Sequence, residues 1–197
     1  DWSGASYWYS IVALAADAEV ELLGLKENSL QGDSAIVQIM EQLGVKSTFT
    51  GRGVLLQKIE AAPSLNWDFT DCPDLAQTVA VCCAVKNIPA SMTGLESLKI
   101  KETDRIYALQ QELMKLGAEL TEVETNHRYE VKRTQEALPA QPISIHTYDD
   151  HRMALAFAPV GMVTPIIIEE PGVVVKSYPG YWHDLATITH LEELQPS

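Results

Sequence analysis

Cysteine is scarce in this 197-residue chain, and the three present, Cys72, Cys82 and Cys83, include no CxxC pair and no Cys/His cluster at metal-ligand spacing. That excludes a disulfide framework and any metal site built on cysteine, and predicts reduced thiols in a cytosol-like compartment. The adjacent Cys82 and Cys83 lie in an apolar run, where cysteine behaves as a small core residue. No run reaches the roughly 18 apolar residues of a membrane helix, and no signal peptide is visible. Basic residues are also few, 14 Lys and Arg against 27 Asp and Glu, for a formal net charge of −13. A surface this acidic repels nucleic acid and anionic membranes, so neither is an expected partner. An anionic ligand would need the few cations gathered in one place. Apolar residues are plentiful at 46%, enough for the core of one sizeable domain or two small ones. Asp1 leads at once into a helical pattern without an initiator Met, which predicts a piece of a longer polypeptide.

The pattern along the chain repeats. After the capping side chains of residues 1–6, residues 7–16 read as a mostly apolar helix and 19–25 as a strand. Asp33 can cap a helix to Leu43 with a stripe of Ile36, Ile39, Met40 and Leu43, stopped by Gly44. Strands at 46–50 and 54–59 follow around Gly51-Arg52-Gly53. Pro73-Asp74 then precedes an apolar helix over 75–85 and a strand over 90–93. The next helix carries Ile106, Leu109, Leu113 and Leu116 on one face, ends at Gly117, and is expected to hold Lys101, Glu102 and Arg105 in its first turn. Strands at 119–123 and 129–131 follow. Gly44 and Gly117 are 73 residues apart, as are the caps Asp1 and Asp74. A third unit opens near Asp150 with a helix over 153–160, a strand over 165–169 and a last helix over 179–189, after the Pro-containing linker 135–142. The period predicts an α/β (α+β) domain of three βαβαββ-type units, roughly 1–59, 60–134 and 135–197, filling the whole of 1–197.

In register, the charged residues line up at helix starts. Asp74 stands before the first helix of the second unit; Asp150, His151 and Arg152 open the first helix of the third. Lys101, Glu102 and Arg105 open one second helix, and Lys176 precedes another, 75 residues after Lys101. Cations in a first turn oppose the helix dipole unless an anion sits there. Packing that gathers these ends would place Lys101, Arg105, Arg152 and Lys176 around Asp74 and Glu102. Such a site suits a substrate bearing phosphate and carboxylate groups, and two acids with a lysine suit proton transfer. The plainer alternatives are a solvated turn with local Glu102–Arg105 pairing, Asp74 and Asp150 as helix caps only, and His151 as a structural hydrogen-bonding residue rather than a base.

Lys101-Glu102-Thr103-Asp104-Arg105, Tyr148-Asp149-Asp150-His151-Arg152-Met153-Ala154 and Lys176-Ser177-Tyr178-Pro179 resemble motifs of the 5-enolpyruvylshikimate-3-phosphate synthases. Asp1-Trp2-Ser3-Gly4-Ala5-Ser6-Tyr7 and Asn28-Ser29-Leu30-Gln31-Gly32-Asp33 fit as well, and the order runs along the whole chain. Ser97, and Val173-Val174-Val175 before Lys176, stand where some relatives carry Asn and more polar residues respectively. The resemblance covers the family's C-terminal half, one of two domains built from three related units each.

The resemblance implies transfer of the enolpyruvyl group of phosphoenolpyruvate to the 5-hydroxyl of shikimate 3-phosphate, with no metal and no cofactor. By motif, Asp74 would accept the hydroxyl proton and Glu102 would protonate the methylene. Lys176 would assist proton transfer and bind phosphoenolpyruvate with Arg105 and Arg152, while Lys101 would contact the shikimate phosphate; Asp150 and His151 would support them. The implied partners are the two substrates and the N-terminal half of the same enzyme, in a cytoplasmic monomer of bacterial rather than plastid type. Alone, the half is expected to be inactive and to bind anions weakly through unbalanced cations. The rival readings are the sister transferase acting on UDP-N-acetylglucosamine, and a non-catalytic anion-binding domain that has lost its acids.

Overall fold

The computed structural model describes residues 1–194; residues 195–197, the end of the third expected unit, lie outside the described residues. Three helices form the middle of the domain: α1 (Trp2–Leu14), α3 (Ala76–Lys86) and α5 (His151–Phe157), with α3 packed against both others. Their sequences are apolar nearly all round because they are buried nearly all round; Val79, Ala80, Val81, Cys82 and Cys83 are fully enclosed. The outer helices α2 (Ile36–Leu43) and α4 (Arg105–Lys115) are amphipathic instead. On α2 the expected stripe of Ile36, Ile39, Met40 and Leu43 is fully buried, and Gly44 ends the helix at φ +106°, a left-handed conformation that glycine adopts without penalty.

The strands form three separate sheets of three, four and two strands, one within each of the expected units. In the second unit β4 (Leu65–Asp68), β5 (Ala90–Thr93), β7 (Arg128–Arg133) and β6 (Ala118–Glu124) lie in that order, β4 parallel to β5 and the rest antiparallel. The first unit has β1 (Glu19–Leu23), β3 (Gly53–Lys58) and β2 (Val45–Phe49), and the third has the parallel pair β8 (Ile143–Ile145) and β9 (Ile166–Ile168). Helix α6 (Tyr181–Ala186) closes the described chain. Tyr7, Ile11, Leu155, Val173, Val174, Tyr181 and Leu185 make a small second core. That burial is why residues 173 and 174 are apolar, whereas Val175 faces solvent.

The structure corrects several expectations about helix starts. Helix α4 begins at Arg105 because the Asp104 carboxylate accepts from the Tyr107 amide at 3.1 Å. Lys101 and Glu102 therefore precede the helix, following a 3-10 turn over Glu96–Ile100. Asp74 lies in a 3-10 turn, Pro73–Leu75, and caps nothing. Asp33 lies in another, Gly32–Ala35, and accepts from the Ser3 hydroxyl instead of capping α2. Asp1 and Asp150 do cap: their carboxylates accept from the Ser3 amide at 3.0 Å and the Arg152 amide at 2.9 Å.

Candidate active site

Arg105, at the first turn of α4, is the centre of the site. Its side chain is 2% exposed, yet it carries a charge. Nε and Nη2 grip Asp150 at 2.8 and 3.2 Å, Nη1 donates to Asp74 at 3.2 Å, and Nη2 donates to Glu102 at 2.6 Å. Four of the five N–H donors of a guanidinium are thus engaged, and the fifth, on Nη1, remains for a ligand. A buried cation is tolerated only when paired and hydrogen-bonded in this way. Asp150 is fully buried, so it both caps α5 and neutralises Arg105.

Asp74 bridges two guanidiniums. Its Oδ1 faces Arg105, and its Oδ2 lies 3.2 Å from Nη2 of Arg152. Arg152 in turn donates through Nη1 to the Tyr7 hydroxyl at 2.9 Å. Burial works against the charge on Arg152, but Tyr7 and Asp74 outweigh it and hold its pKa above the ordinary value. Glu102 is held below the usual carboxylate range by its own backbone N–H first and by Arg105 and His151 after that. The His151 ring is 8% exposed with Nδ1 4.0 Å from Glu102 and 3.9 Å from Asp150, and Nδ1 has no hydrogen-bond partner among the described residues. Its Nδ1 is thus not the structural hydrogen bond expected of this residue, because both carboxylates already face arginines. Burial first, then the Arg152 charge, push its pKa down.

Lys176 joins the site from the end of a 3-10 turn, Pro171–Lys176; its Nζ donates to the Asp149 carbonyl at 3.2 Å and lies 3.7 Å from the Asp149 carboxylate. Tyr148 and Asp149 have φ of +55° and +53°, two successive non-glycine residues in the left-handed region. Such residues cost on the order of 1–3 kcal/mol each and persist where the surroundings over-determine them. Lys101 is exposed, one residue before Glu102, and joins none of these pairs. Six of the expected residues, Asp74, Glu102, Arg105, Asp150, His151 and Arg152, therefore come together; Lys176 attaches through Asp149, and Lys101 stays at the rim. The two arginines are not the unbalanced cations expected here, because Asp74, Glu102 and Asp150 already face them, whereas Lys101 has no carboxylate partner among the described residues. The sequence reading has Tyr7 at the end of a family motif but gives it no place in the site, because it lies in an apolar helix. That reading missed Glu112, an acid on the buried stripe of α4 that accepts from the Tyr148 hydroxyl at 2.7 Å.

Residues 1–185 match the family model for EPSP synthase (3-phosphoshikimate 1-carboxyvinyltransferase). A 3-phosphoshikimate 1-carboxyvinyltransferase of Bacteroides fragilis strain YCH46 is 50% identical over 189 residues, 94% of this chain and 45% of that protein. One from Idiomarina loihiensis is 34% identical over 191 residues, 96% of this chain and 43% of that protein. The fold is similar to EPSP synthase from Acinetobacter baumannii, with a TM-score of 0.68 at 21% identity over 94% of this chain and 44% of that one. It is also similar to the enolpyruvyl transferase NikO from Streptomyces tendae, with a TM-score of 0.68 at 14% identity over 95% of this chain and 42% of that one. The chain spans about half the length of the curated relatives it matches. By its match over nearly its whole length, the chain belongs to the EPSP synthase family.

Proposed function

We propose that this chain is the acid-bearing half of an enzyme that transfers the enolpyruvyl group of phosphoenolpyruvate to the 5-hydroxyl of shikimate 3-phosphate and releases phosphate. The observation that carries this reading is the bridge of Asp74 between Arg105 and Arg152, with Glu102 on the same guanidinium. Each oxygen of Asp74 faces one arginine and keeps a lone pair free, so the carboxylate can take the hydroxyl proton as oxygen attacks C2 of phosphoenolpyruvate. Glu102 gives a proton to the methylene, which becomes a methyl group. The tetrahedral intermediate then loses phosphate from C2, which carries off the proton held by Asp74, and returns a methyl proton to Glu102, leaving the enolpyruvyl ether. Glu102 is ionised in the free site. A multiply negative substrate beside it raises its pKa, which is what a proton donor requires.

Arg152 and Lys176, with the remaining donor of Arg105, would hold phosphoenolpyruvate, and Lys176 would assist proton transfer; Lys101 would meet the shikimate phosphate. Asp150 and His151 would support them, Asp150 by holding Arg105. The partner is the other half of the same polypeptide, in a cytoplasmic monomer of bacterial type; half a cleft does not hold two substrates in near-attack geometry. Presence of both acids argues against a domain that only binds anions, and the Lys101–Arg105 and Asp149–Ala154 motifs argue against the UDP-N-acetylglucosamine enzyme. The test is phosphate release from the two substrates by this chain combined with its other half. Release that disappears in Glu102→Gln and Asp74→Ala supports the reading; no release from a folded, assembled pair overturns it.

A further inference from the structure

Glu112 lies seven residues after Arg105, two turns on along the same face of α4. Its side chain is 2% exposed, and no step of the proposed reaction uses it. One oxygen accepts from the His146 amide at 2.8 Å and from Lys115 at 2.6 Å, and the other accepts from the Tyr148 hydroxyl. Burial first, and the bond to Glu112 next, raise the Tyr148 pKa, so the hydroxyl stays a donor. Helix α4 therefore grips the 146–150 loop at both ends: Glu112 at residues 146 and 148, Arg105 at residue 150. Between those grips lie the two left-handed residues, Tyr148 and Asp149, and it is the Asp149 carbonyl that receives Lys176. The loop is also fastened by His146 Nδ1, 3.0 Å from the Glu169 carboxylate, by the Thr147 hydroxyl on the Glu169 carbonyl at 2.9 Å and by the Asp150 amide on the Thr147 carbonyl at 2.9 Å. The His146 and Tyr148 rings meet edge to face, 4.4 Å between centroids.

We propose that Glu112 is a positioning residue of the active site: through Tyr148 it holds the strained 148–149 turn, and so fixes Lys176 and Arg152 where phosphoenolpyruvate binds. The inference rests on the proposed reaction and locates its control two helical turns from the chemistry.

The test uses the complete enzyme that contains this chain. Tyr148→Phe keeps the ring and deletes only the hydroxyl. Loss of one hydrogen bond to a buried charge is expected to raise KM for phosphoenolpyruvate about tenfold, while KM for shikimate 3-phosphate, served by Lys101 on another segment, stays within about twofold. Glu112→Leu, which also strands the His146 amide, gives a split in the same direction and at least as large, and adding Tyr148→Phe to it gives no further change, since the hydroxyl has already lost its acceptor. Glu112→Gln restores near wild-type values, because the amide oxygen still accepts from His146 and the amide nitrogen can donate to Tyr148. Equal change in both KM values, or a kcat that only tracks the folded fraction, overturns the proposal. If the wild-type enzyme releases no phosphate, the reaction is wrong but the clamp is still readable. Amide hydrogen exchange at Asp150 is then expected to quicken about tenfold in Tyr148→Phe, with the β6–β7 hairpin unchanged; unchanged exchange at Asp150 overturns it.

Discussion

Arg105 and Lys176, both assigned to the proposed site, live in opposite surroundings. Arg105 is enclosed, with three carboxylates on its guanidinium. Lys176 has a side chain 44% exposed, and its one carboxylate neighbour among the described residues, Asp149, itself 87% exposed, is 3.7 Å away. A cation in the first position holds its surroundings together, since any vacancy leaves a charge buried without a partner. In the second it is screened by water and loses little by exchanging its neighbour for a ligand. One site therefore contains a fixed frame that sets where Asp74, Glu102 and Asp150 point, and a rim that is free to receive an anion.

The sharpest way to break this comparison is to remove the frame. Arg105→Ala leaves Asp150 fully buried and uncompensated, and is expected to lower the unfolding free energy by about 3–5 kcal/mol in urea titration. Arg105→Lys is expected to recover only part of it, because an ammonium cannot bind Asp150 through two parallel N–H groups while reaching Asp74 and Glu102. A loss below about 1 kcal/mol for Arg105→Ala, the range of an exposed pair, would show that the frame is no more than a surface network.

The parts of this arrangement legible in the sequence are those that local chemistry decides. The α2 stripe and the Gly44 stop needed only neighbouring residues, and the 73–75-residue offset grouped Asp74, Glu102, Arg105, Asp150, His151 and Arg152, which the structure brings together, with Lys101, which it leaves at the rim. The sequence pattern starts α4 one turn too early because Lys101 and Glu102 suit a helix as well as its approach; the Asp104 side chain settles the start. Strands β4 and β8 escaped notice because four and three residues carry too little pattern, and both are stabilised by parallel neighbours 25 and 23 residues away in register. Tyr7 and Glu112 were invisible for a related reason. Their partners, Arg152 and Tyr148, lie 145 and 36 residues distant, so nothing local distinguishes a working hydroxyl or acid from a core side chain.

Acid titration separates two members of the frame by pH window. The fold prefers neutral His151, since burial lowers its pKa from 6.5. Its contribution is therefore complete above pH 6.5 and is lost as pH falls toward the lower folded value. Glu102 is held below 4.5 by its own backbone N–H first and Arg105 next, so its contribution is complete above pH 4.5 and is lost below it. His151→Gln is expected to flatten the stability profile just below pH 6.5, and Glu102→Gln only below pH 4.5. Denaturant midpoints taken at half-unit pH steps check both; a Glu102→Gln profile that changes first near pH 6.5 would contradict the assignment.

The smallest expected effect on stability is the most informative about the rim. Lys176→Ala removes a long, half-exposed ion pair and one hydrogen bond to the Asp149 carbonyl, so the unfolding free energy is expected to move by no more than about 0.5 kcal/mol. Phosphoenolpyruvate affinity of the assembled enzyme, measured by titration, is expected to fall at least about tenfold, the worth of one charge-assisted bond. Stability and binding then part company at Lys176 while they fall together at Arg105. If Lys176→Ala unfolds the protein as readily as Arg105→Ala, the rim belongs to the frame, and an anion entering the site must displace a carboxylate rather than find a waiting cation.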